Sequence, residues 1–321
     1  MKKVLVYGWY NQGNIGDNLF IEAYQHLFPH FQFTFTEIIT ADKLQDIEAV
    51  FFGGGSFLLD RPRIDDDALA LLKTKNIFYL GIGVEGVIHP IHLELMAQAS
   101  LIATRSPGQV DRLKLINPRV LSIPDLVYCL EAKVVFNSPI KKSVLFLPNI
   151  AVVPHQSEPH WKHAAWDYFK SECCQFLDWL VENDCQLHFF SMCRGNKLND
   201  DWASAALISH MDNRSSRFSL VQQPDSIADI TALFSKYEII ITQRFHGIVL
   251  AEMIRSPYIA ITHHDKFKPS PSNRGKFISY YNGSKHTFIE AFQQVRVNNN
   301  PTLLIKSDMF KELVEEVLTL L

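Results

Sequence analysis

The fold is set by the opening stretch Val4-Leu5-Val6-Tyr7-Gly8-Trp9-Tyr10-Asn11-Gln12-Gly13-Asn14-Ile15-Gly16-Asp17. Its apolar run Val4–Tyr7 reads as a buried strand, its glycines permit tight turns, and the amphipathic Asn18–Leu27 beyond reads as a helix. The basic start Met1-Lys2-Lys3 leads straight into that strand. Polar Asn11 and Gln12 then follow with no small-residue cleavage site, so the segment reads as a first strand and not as a signal peptide. The same alternation recurs. Strands are expected at Phe33–Phe35, Ala49–Phe52, Ile77–Leu80, Leu101–Thr104 and Val120–Ile123, with helices at Ala68–Leu72, Ile91–Ala97 and Gln109–Leu115. Such a βα repeat predicts a mainly parallel sheet covered on both faces.

Cys129–Lys142, with Asn137, Pro139, Lys141 and Lys142, reads as a linker, and the pattern restarts at Ser143–Leu147. A long helix is expected from Trp161 to Glu182, followed by strands at Gln186–Phe190, Phe218–Val221, Glu238–Thr242 and Tyr258–Thr262. Helices are expected between them at Asp201–His210, Ser226–Phe234 and Gly247–Ile254. Thr287–Val295 and Met309–Leu320 close the chain as helices. The expected fold is α/β, with two Rossmann-like domains facing a cleft. The N-terminal domain covers 1–135, and the C-terminal domain covers 136–321 with the closing helices.

Composition agrees with this and narrows the function. The 321 residues match two domains of about 150 each. A hydrophobic share of 47% and a charged share of 20% exclude a disordered chain. The net charge of 31 − 34 = −3 argues against a dedicated nucleic-acid binder, so an anionic partner must be met by a local cluster. No apolar run approaches the roughly 20 residues that span a bilayer. Five cysteines without Cys-x-x-Cys spacing suit a reducing compartment, and a cytoplasmic location is expected.

In parallel sheets ligands bind beyond the carboxyl ends of strands, and five such ends carry unusual residues. Gly8–Asp17 offers a glycine turn and free helix-start N–H groups for an anion or a sugar hydroxyl; the plainer reading makes Asp17 an N-cap. Phe52-Gly53-Gly54-Gly55-Ser56 suggests close approach of a ligand to the backbone. Ser56 lacks the Gly-x-Ser-x-Gly register of a hydrolase nucleophile and is not expected to be catalytic. Gly81-Ile82-Gly83-Val84-Glu85-Gly86 has the formal spacing of a dinucleotide fingerprint, and Arg105 at the next strand end would then suit the 2′-phosphate of NADP. Thr104-Arg105-Ser106 places a guanidinium where it holds a carboxylate or phosphate by two parallel bonds, the plainer reading being an ion pair with a neighbour such as Asp111.

The sharpest end is Gln243-Arg244-Phe245-His246-Gly247. Arg244 and His246 lie two residues apart at a strand-to-helix turn, and Gly247 leaves room for a ligand. A helix N-terminus disfavours the imidazolium and a bound phosphate favours it, so the pair is suited to hold a transferable proton. One βα unit on, Lys266, Lys268, Arg274 and Lys276 face only Asp265, a local sum of +3 in a chain of net −3. Asp65-Asp66-Asp67 precedes an apolar helix and reads as its acidic first turn. His263-His264-Asp265 has poor ligand spacing on extended backbone, so no metal is expected.

Taken together these motifs resemble the polysaccharide pyruvyl transferase family, in order from the N-terminus to about Lys268. Gly13-Asn14-Ile15-Gly16-Asp17 is similar to the family's Gly-Asn-x-Gly-Asp-Glu opening. Gly53-Gly54-Gly55, Gly81-Ile82-Gly83, Arg105, the Asp125 segment, the Arg-x-His signature at Arg244 and His246, and Lys266 follow. Asn18 replaces the usual Glu, Ser106 a common Asp, and Glu85-Gly86 the usual Gly-Pro. Two of these departures touch the acceptor side, so the sugar does not carry over.

The resemblance implies a fold like the GT-B glycosyltransferases and transfer of enolpyruvyl from phosphoenolpyruvate to two hydroxyls of a sugar, forming a pyruvate ketal and releasing phosphate. Arg105, Arg244 and Lys266 would bind the donor and His246 would be the general acid. Asn14, Gly16, Asp17, Gly54, Gly55, Gly83 and Glu85 would contact the acceptor or line the backbone loops, with Asp17 and Glu85 as candidates to take hydroxyl protons. Trp9 and Tyr10 offer a sugar-stacking face or buried packing. Phosphoenolpyruvate is the donor co-substrate and no other cofactor is implied. The acceptor is a saccharide of a surface or capsular glycan, or exopolysaccharide, or its precursor, lipid-linked or not, with peripheral membrane association left open. The competing readings are a GT-B nucleotide-sugar glycosyltransferase and an NADP-binding protein.

Overall fold

A computed structural model describes residues 1–56, 58, 60–196, 198–212, 218–224, 226–263, 275–297 and 307–321. The first half alternates strands and helices: β1 (Lys2–Tyr7), α1 (Ile15–Leu27), β2 (Phe31–Thr36), β3 (Ala49–Gly55), α2 (Asp66–Leu72), β4 (Asn76–Ile82), α3 (Pro90–Ala97), β5 (Leu101–Thr104), α4 (Val110–Lys114) and β6 (Val120–Ser122). These six strands form one sheet in the order β2-β1-β3-β4-β5-β6, and every pairing is parallel. β3 and β4 read as near-continuous apolar runs because both faces are covered, as a parallel sheet requires. Acidic Asp66 and Asp67 occupy the first turn of α2, where the helix dipole favours them.

The second half repeats the scheme with β7 (Ile140–Leu147), α5 (His160–Glu182), β8 (Gln186–Phe190), α6 (Asp200–His210), β9 (Phe218–Val221), α7 (Ile227–Phe234), β10 (Tyr237–Thr242), α8 (Phe245–Met253), β11 (Tyr258–Thr262), β12 (Gly275–Ser279) and α9 (Lys285–Val297). Its sheet runs β12-β11-β10-β7-β8-β9, again all parallel. Sequence order therefore reverses between β7 and β10, the dinucleotide-fold strand order, whereas the first sheet follows the flavodoxin-like order with its reversal between β1 and β3. One core cluster packs Phe169, Phe176 and Leu180 of α5 against Phe288 and Phe292 of α9 and the strand residues Val144, Phe146, Ile241 and Ile259. Strand β12 has no counterpart in the sequence reading, since Gly275-Lys276-Phe277 carries too short an apolar run to announce it.

Two segments depart from the expected division at residue 135. The chain separates into a unit of Met1–Asn11, Asp17–Ala132 and Ile305–Leu321 and a unit of Gln12–Gly16 and Lys133–Leu304. The last helix, α10 (Ser307–Leu320), expected with the C-terminal domain, packs against β5. Gln12–Gly16, expected with the N-terminal domain, is held by backbone bonds to the loop after β8. Ile15 N–H donates to Met192 O at 2.9 Å and Arg194 N–H to Gly13 O at 2.8 Å. The linker expected at 129–142 is a 3-10 turn at Leu126–Lys133, an extended segment, and then the start of β7.

The first core buries a titratable group. His92 on α3 is fully buried between Phe52 and Tyr79, with its Nδ1 3.0 Å from Tyr79 Oη. Burial pulls its pKa down from 6.5 to about 4, with His89 adding a smaller push the same way. A histidine that is harder to protonate folded than unfolded contributes stability above pH 6.5 and loses it as pH falls through 4. Denaturant unfolding from pH 7 to 4 is expected to cost the protein about 3 kcal/mol more than it costs His92→Gln, which cannot titrate.

Candidate active site

Reversal of strand order between β7 and β10 sends the following connections in opposite directions and leaves a crevice at the carboxyl edge of the second sheet. Arg244 and His246 lie at that edge. β10 ends at Thr242, whose Oγ1 accepts from Arg244 N–H and donates to Arg244 O, both at 2.9 Å, closing the turn into α8. Gln243 is buried, and its Oε1 accepts from Asn149 N–H at 2.9 Å, joining this turn to the loop after β7.

The Arg244 guanidinium is gripped by Asp200, the first residue of α6, which is fully buried. Nε donates to Oδ2 at 3.0 Å and Nη2 donates to Oδ1. The same carboxylate accepts from Ile150 N–H at 3.0 Å and Cys193 N–H at 2.9 Å. One acid thus joins the loops leaving β7, β8 and β10. The fork uses two of the five N–H donors of a guanidinium and leaves three for a ligand.

His246 is buried in the first turn of α8, and its ring rests on Gly16: a Cβ there would lie 2.2 Å from Nδ1. Gly16 is helical, where alanine would be favoured by about 1 kcal/mol. The imidazole accounts for the glycine. Asn14 Oδ1 accepts from Gly16 N–H at 3.1 Å, so Asn14 caps α1 and the N-cap reading of Asp17 is corrected.

In the first unit Arg105 follows β5 and pairs with Asp125, not with the sequence neighbour Asp111. Both side chains are nearly buried, at 8% and 1% exposure. Arg105 Nη2 lies 3.4 Å from Ser56 Oγ, which donates to Glu85 Oε1 at 2.7 Å. Gly83 lies under this group, since a Cβ would come within 2.5 Å of Ser56 Oγ and 3.1 Å of Arg105 Nε. Arg105, Glu85 and Gly83 are therefore brought together, with Ser56 and Asp125 added. Gly55 has φ +112 and only Asp17 Oδ1 near its open side, at 3.5 Å. Asp17 and Gly55 are therefore neighbours at this strand end.

Other expectations are corrected. The open sides of Gly53 and Gly54 are filled by Tyr24 Oη and the Phe20 ring, so these two glycines serve internal packing and not ligand approach. Gly247 abuts Thr242 and Leu147 and gives α8 its close fit to the sheet. Tyr10 is buried and its Oη donates to Gly53 O, so it is not a stacking face; Trp9 carries the Arg63 guanidinium 5.7 Å from its ring centre. Gly81–Gly86 opens no helix, α3 starting only at Pro90, so the dinucleotide context is missing. Lys266, with Lys268 and Arg274, lies outside the described residues. Among the described residues no three metal-ligating side chains converge. Asp200 carries no local motif, and although Asp125 and Ser56 stand in motif segments, nothing local marks them as partners of Arg105; each is supplied by another loop.

The fold and these strand-end clusters define a two-domain α/β protein of the GT-B class. UDP-GlcNAc 2-epimerase from Methanocaldococcus jannaschii superposes with a TM-score of 0.62 at 10% identity, covering 99% of each chain. S. aureus MnaA, solved with UDP, gives 0.64 at 11%, covering 100% of this chain and 98% of its own. The Neisseria meningitidis UDP-GlcNAc 2-epimerase bound to UDP-GlcNAc gives 0.54 at 11%, covering 99% and 100%. Identities this low carry the fold alone. No curated protein matches the sequence. The polysaccharide pyruvyl transferase family model matches residues 14–265, more than half of the chain, and the chain belongs to that family.

Removing Asp200 strands the Arg244 charge and leaves two backbone N–H groups without their acceptor. Asp200→Ala is expected to lower the unfolding free energy by about 3–5 kcal/mol. The Asp200→Ala/Arg244→Ala double variant should lose less than the sum of the singles in the same denaturant titration.

Proposed function

We propose that this family member moves the enolpyruvyl unit of phosphoenolpyruvate onto two hydroxyls of a sugar in a surface or capsular glycan precursor, making a cyclic pyruvate ketal and phosphate. The observation that carries the reading is the Arg244–Asp200 fork with His246 two residues on, at the switch point of the second sheet. Phosphoenolpyruvate carries a phosphate and a carboxylate. A guanidinium already aligned by a buried carboxylate meets such groups with little loss of side-chain freedom, and Arg105, aligned by Asp125, is built the same way. Lys266 completes the proposed donor set.

In this mechanism His246 gives a proton to the methylene carbon of the donor, and C2 becomes an oxocarbenium-like centre. One sugar hydroxyl bonds to C2 and its proton returns to the site. The C2–O bond to phosphate then breaks, and the second hydroxyl closes the ring. Of the two hydroxyl protons, one restores His246 and one leaves with phosphate, so the step balances without oxidant or metal. Asp17 and Glu85 are the proposed carriers of those protons. The acceptor saccharide, lipid-linked or not, and a cytoplasmic site of action belong to the same proposal.

Two measurements test it. In thermal unfolding, phosphoenolpyruvate at 100 times its dissociation constant should stabilise the protein by about 2.7 kcal/mol. Arg244→Ala should abolish that shift, whereas stabilisation by a UDP-sugar or NADPH in its place would overturn the donor assignment. In turnover, His246→Ala should abolish ketal formation while retaining donor binding. Gly16→Ala, which drives a methyl group into the imidazole, should lower kcat at least tenfold with the fold intact. Near-normal ketal formation by His246→Ala would remove the acid role.

A further inference from the structure

A cavity of about 130 Å³ opens at the carboxyl edge of the second sheet, built by the segments leaving β7, β11 and β12 and by the start of α5. β7 and β11 flank β10 and β12 lies next to β11, so the cavity stands at the same sheet edge as Arg244 and His246. Two large aromatic side chains line it while remaining open to solvent, Trp161 at 57% and Tyr281 at 48% exposure. Other large side chains of the chain are as exposed, but here two aromatic rings stand beside one cavity. Between them stand polar groups: the Glu158–Lys162 pair, with Nζ donating to Oε2 at 2.7 Å, and His263. Behind them Tyr280 is fixed, its Oη donating to Val152 O at 3.2 Å and its ring packed on Phe169 at 4.7 Å.

We infer that this cavity is a saccharide subsite that takes one pyranose ring. An aromatic face is electron-rich and apolar and suits the C–H face of a sugar, while ring hydroxyls need donors and acceptors together. Glu158 supplies acceptors and Lys162 donors. The volume limits the occupant to a small group such as one ring, since it falls below the roughly 300 Å³ or more of a site for a larger, nucleotide-sized ligand. Cation and anion are already paired at the rim, so the cavity favours a neutral polar ligand over a phosphate. That the ring belongs to the acceptor glycan rests on the proposed transferase reading; that a pyranose binds here does not.

The test is therefore made without donor. Methyl pyranosides of gluco, galacto and manno configuration, with their 2-acetamido counterparts, are titrated against the full chain by saturation-transfer NMR, with Trp161 indole resonances observed on the protein. At least one is expected to bind at millimolar concentration and to shift the Trp161 signal. Trp161→Ala and Tyr281→Ala should each weaken binding about tenfold or more. Both side chains are largely exposed, so the variants should unfold as the wild type does, and Glu158→Gln supplies a third, isosteric check. Absence of binding by every pyranoside, binding unchanged in all three variants, or displacement of the Trp161 signal by UMP but by no sugar would each overturn the subsite. If phosphoenolpyruvate turnover fails while the Trp161-dependent sugar binding persists, the reaction reading falls and the subsite stands. Turnover that persists with no sugar binding at Trp161 separates them the other way.

Discussion

Asp200 is the buried charge on which the loops at the carboxyl edge of the second sheet depend. Its carboxylate is wholly out of water, and it tolerates that only because four donors surround it: two from Arg244 and the backbone N–H groups of Ile150 and Cys193. Those donors lie on loops that leave three different strands. Satisfying one buried charge therefore fixes the relative positions of three strand ends, which no single loop could do alone. The loop at Cys193 in turn bonds Gly13 and Ile15 through its neighbours Arg194 and Met192, and this brings Gly16 under His246. The imidazole is located by a chain of hydrogen bonds that begins at one acid.

The first domain uses the same device. Arg105 is aligned by Asp125 at a strand end, with Ser56 and Glu85 beside it. A buried guanidinium without a carboxylate would be prohibitively costly, and one with a carboxylate loses most of its net charge. What remains is a set of directed N–H donors. Such internal pairing of charges fits a protein whose overall charge is close to zero.

The glycines show how easily such motifs are over-read. Gly53, Gly54, Gly83 and Gly247 all lie at strand ends or helix starts where ligands bind in α/β proteins, yet protein atoms occupy the space a side chain would need. They permit Tyr24, Phe20, Arg105 and Thr242 to approach the backbone. Gly16 belongs to the same class, but the atom it admits is His246 Nδ1. What sets Gly16 apart from the other four is the identity of its neighbour, which lies far away in sequence.

Periodicity and local chemistry made every sheet strand but β12 legible, down to the ends of β5, β8, β9 and β11, because a short apolar run bounded by turn residues is a local signal. They also marked Arg244 and His246, since a strand–turn–helix junction is local and carries its own signature. The family followed from the order of such junctions. The tertiary structure alone decided what each of these residues touches. Asp200 lies 44 residues from Arg244 and Asp125 lies 20 from Arg105. Likewise, the affiliation of Gln12–Gly16 and of α10 with the opposite halves of the chain has no local trace. Ion pairs and packing partners are chosen by proximity in space and by the cost of leaving a charge dry. A sequence specifies that proximity only through the whole fold.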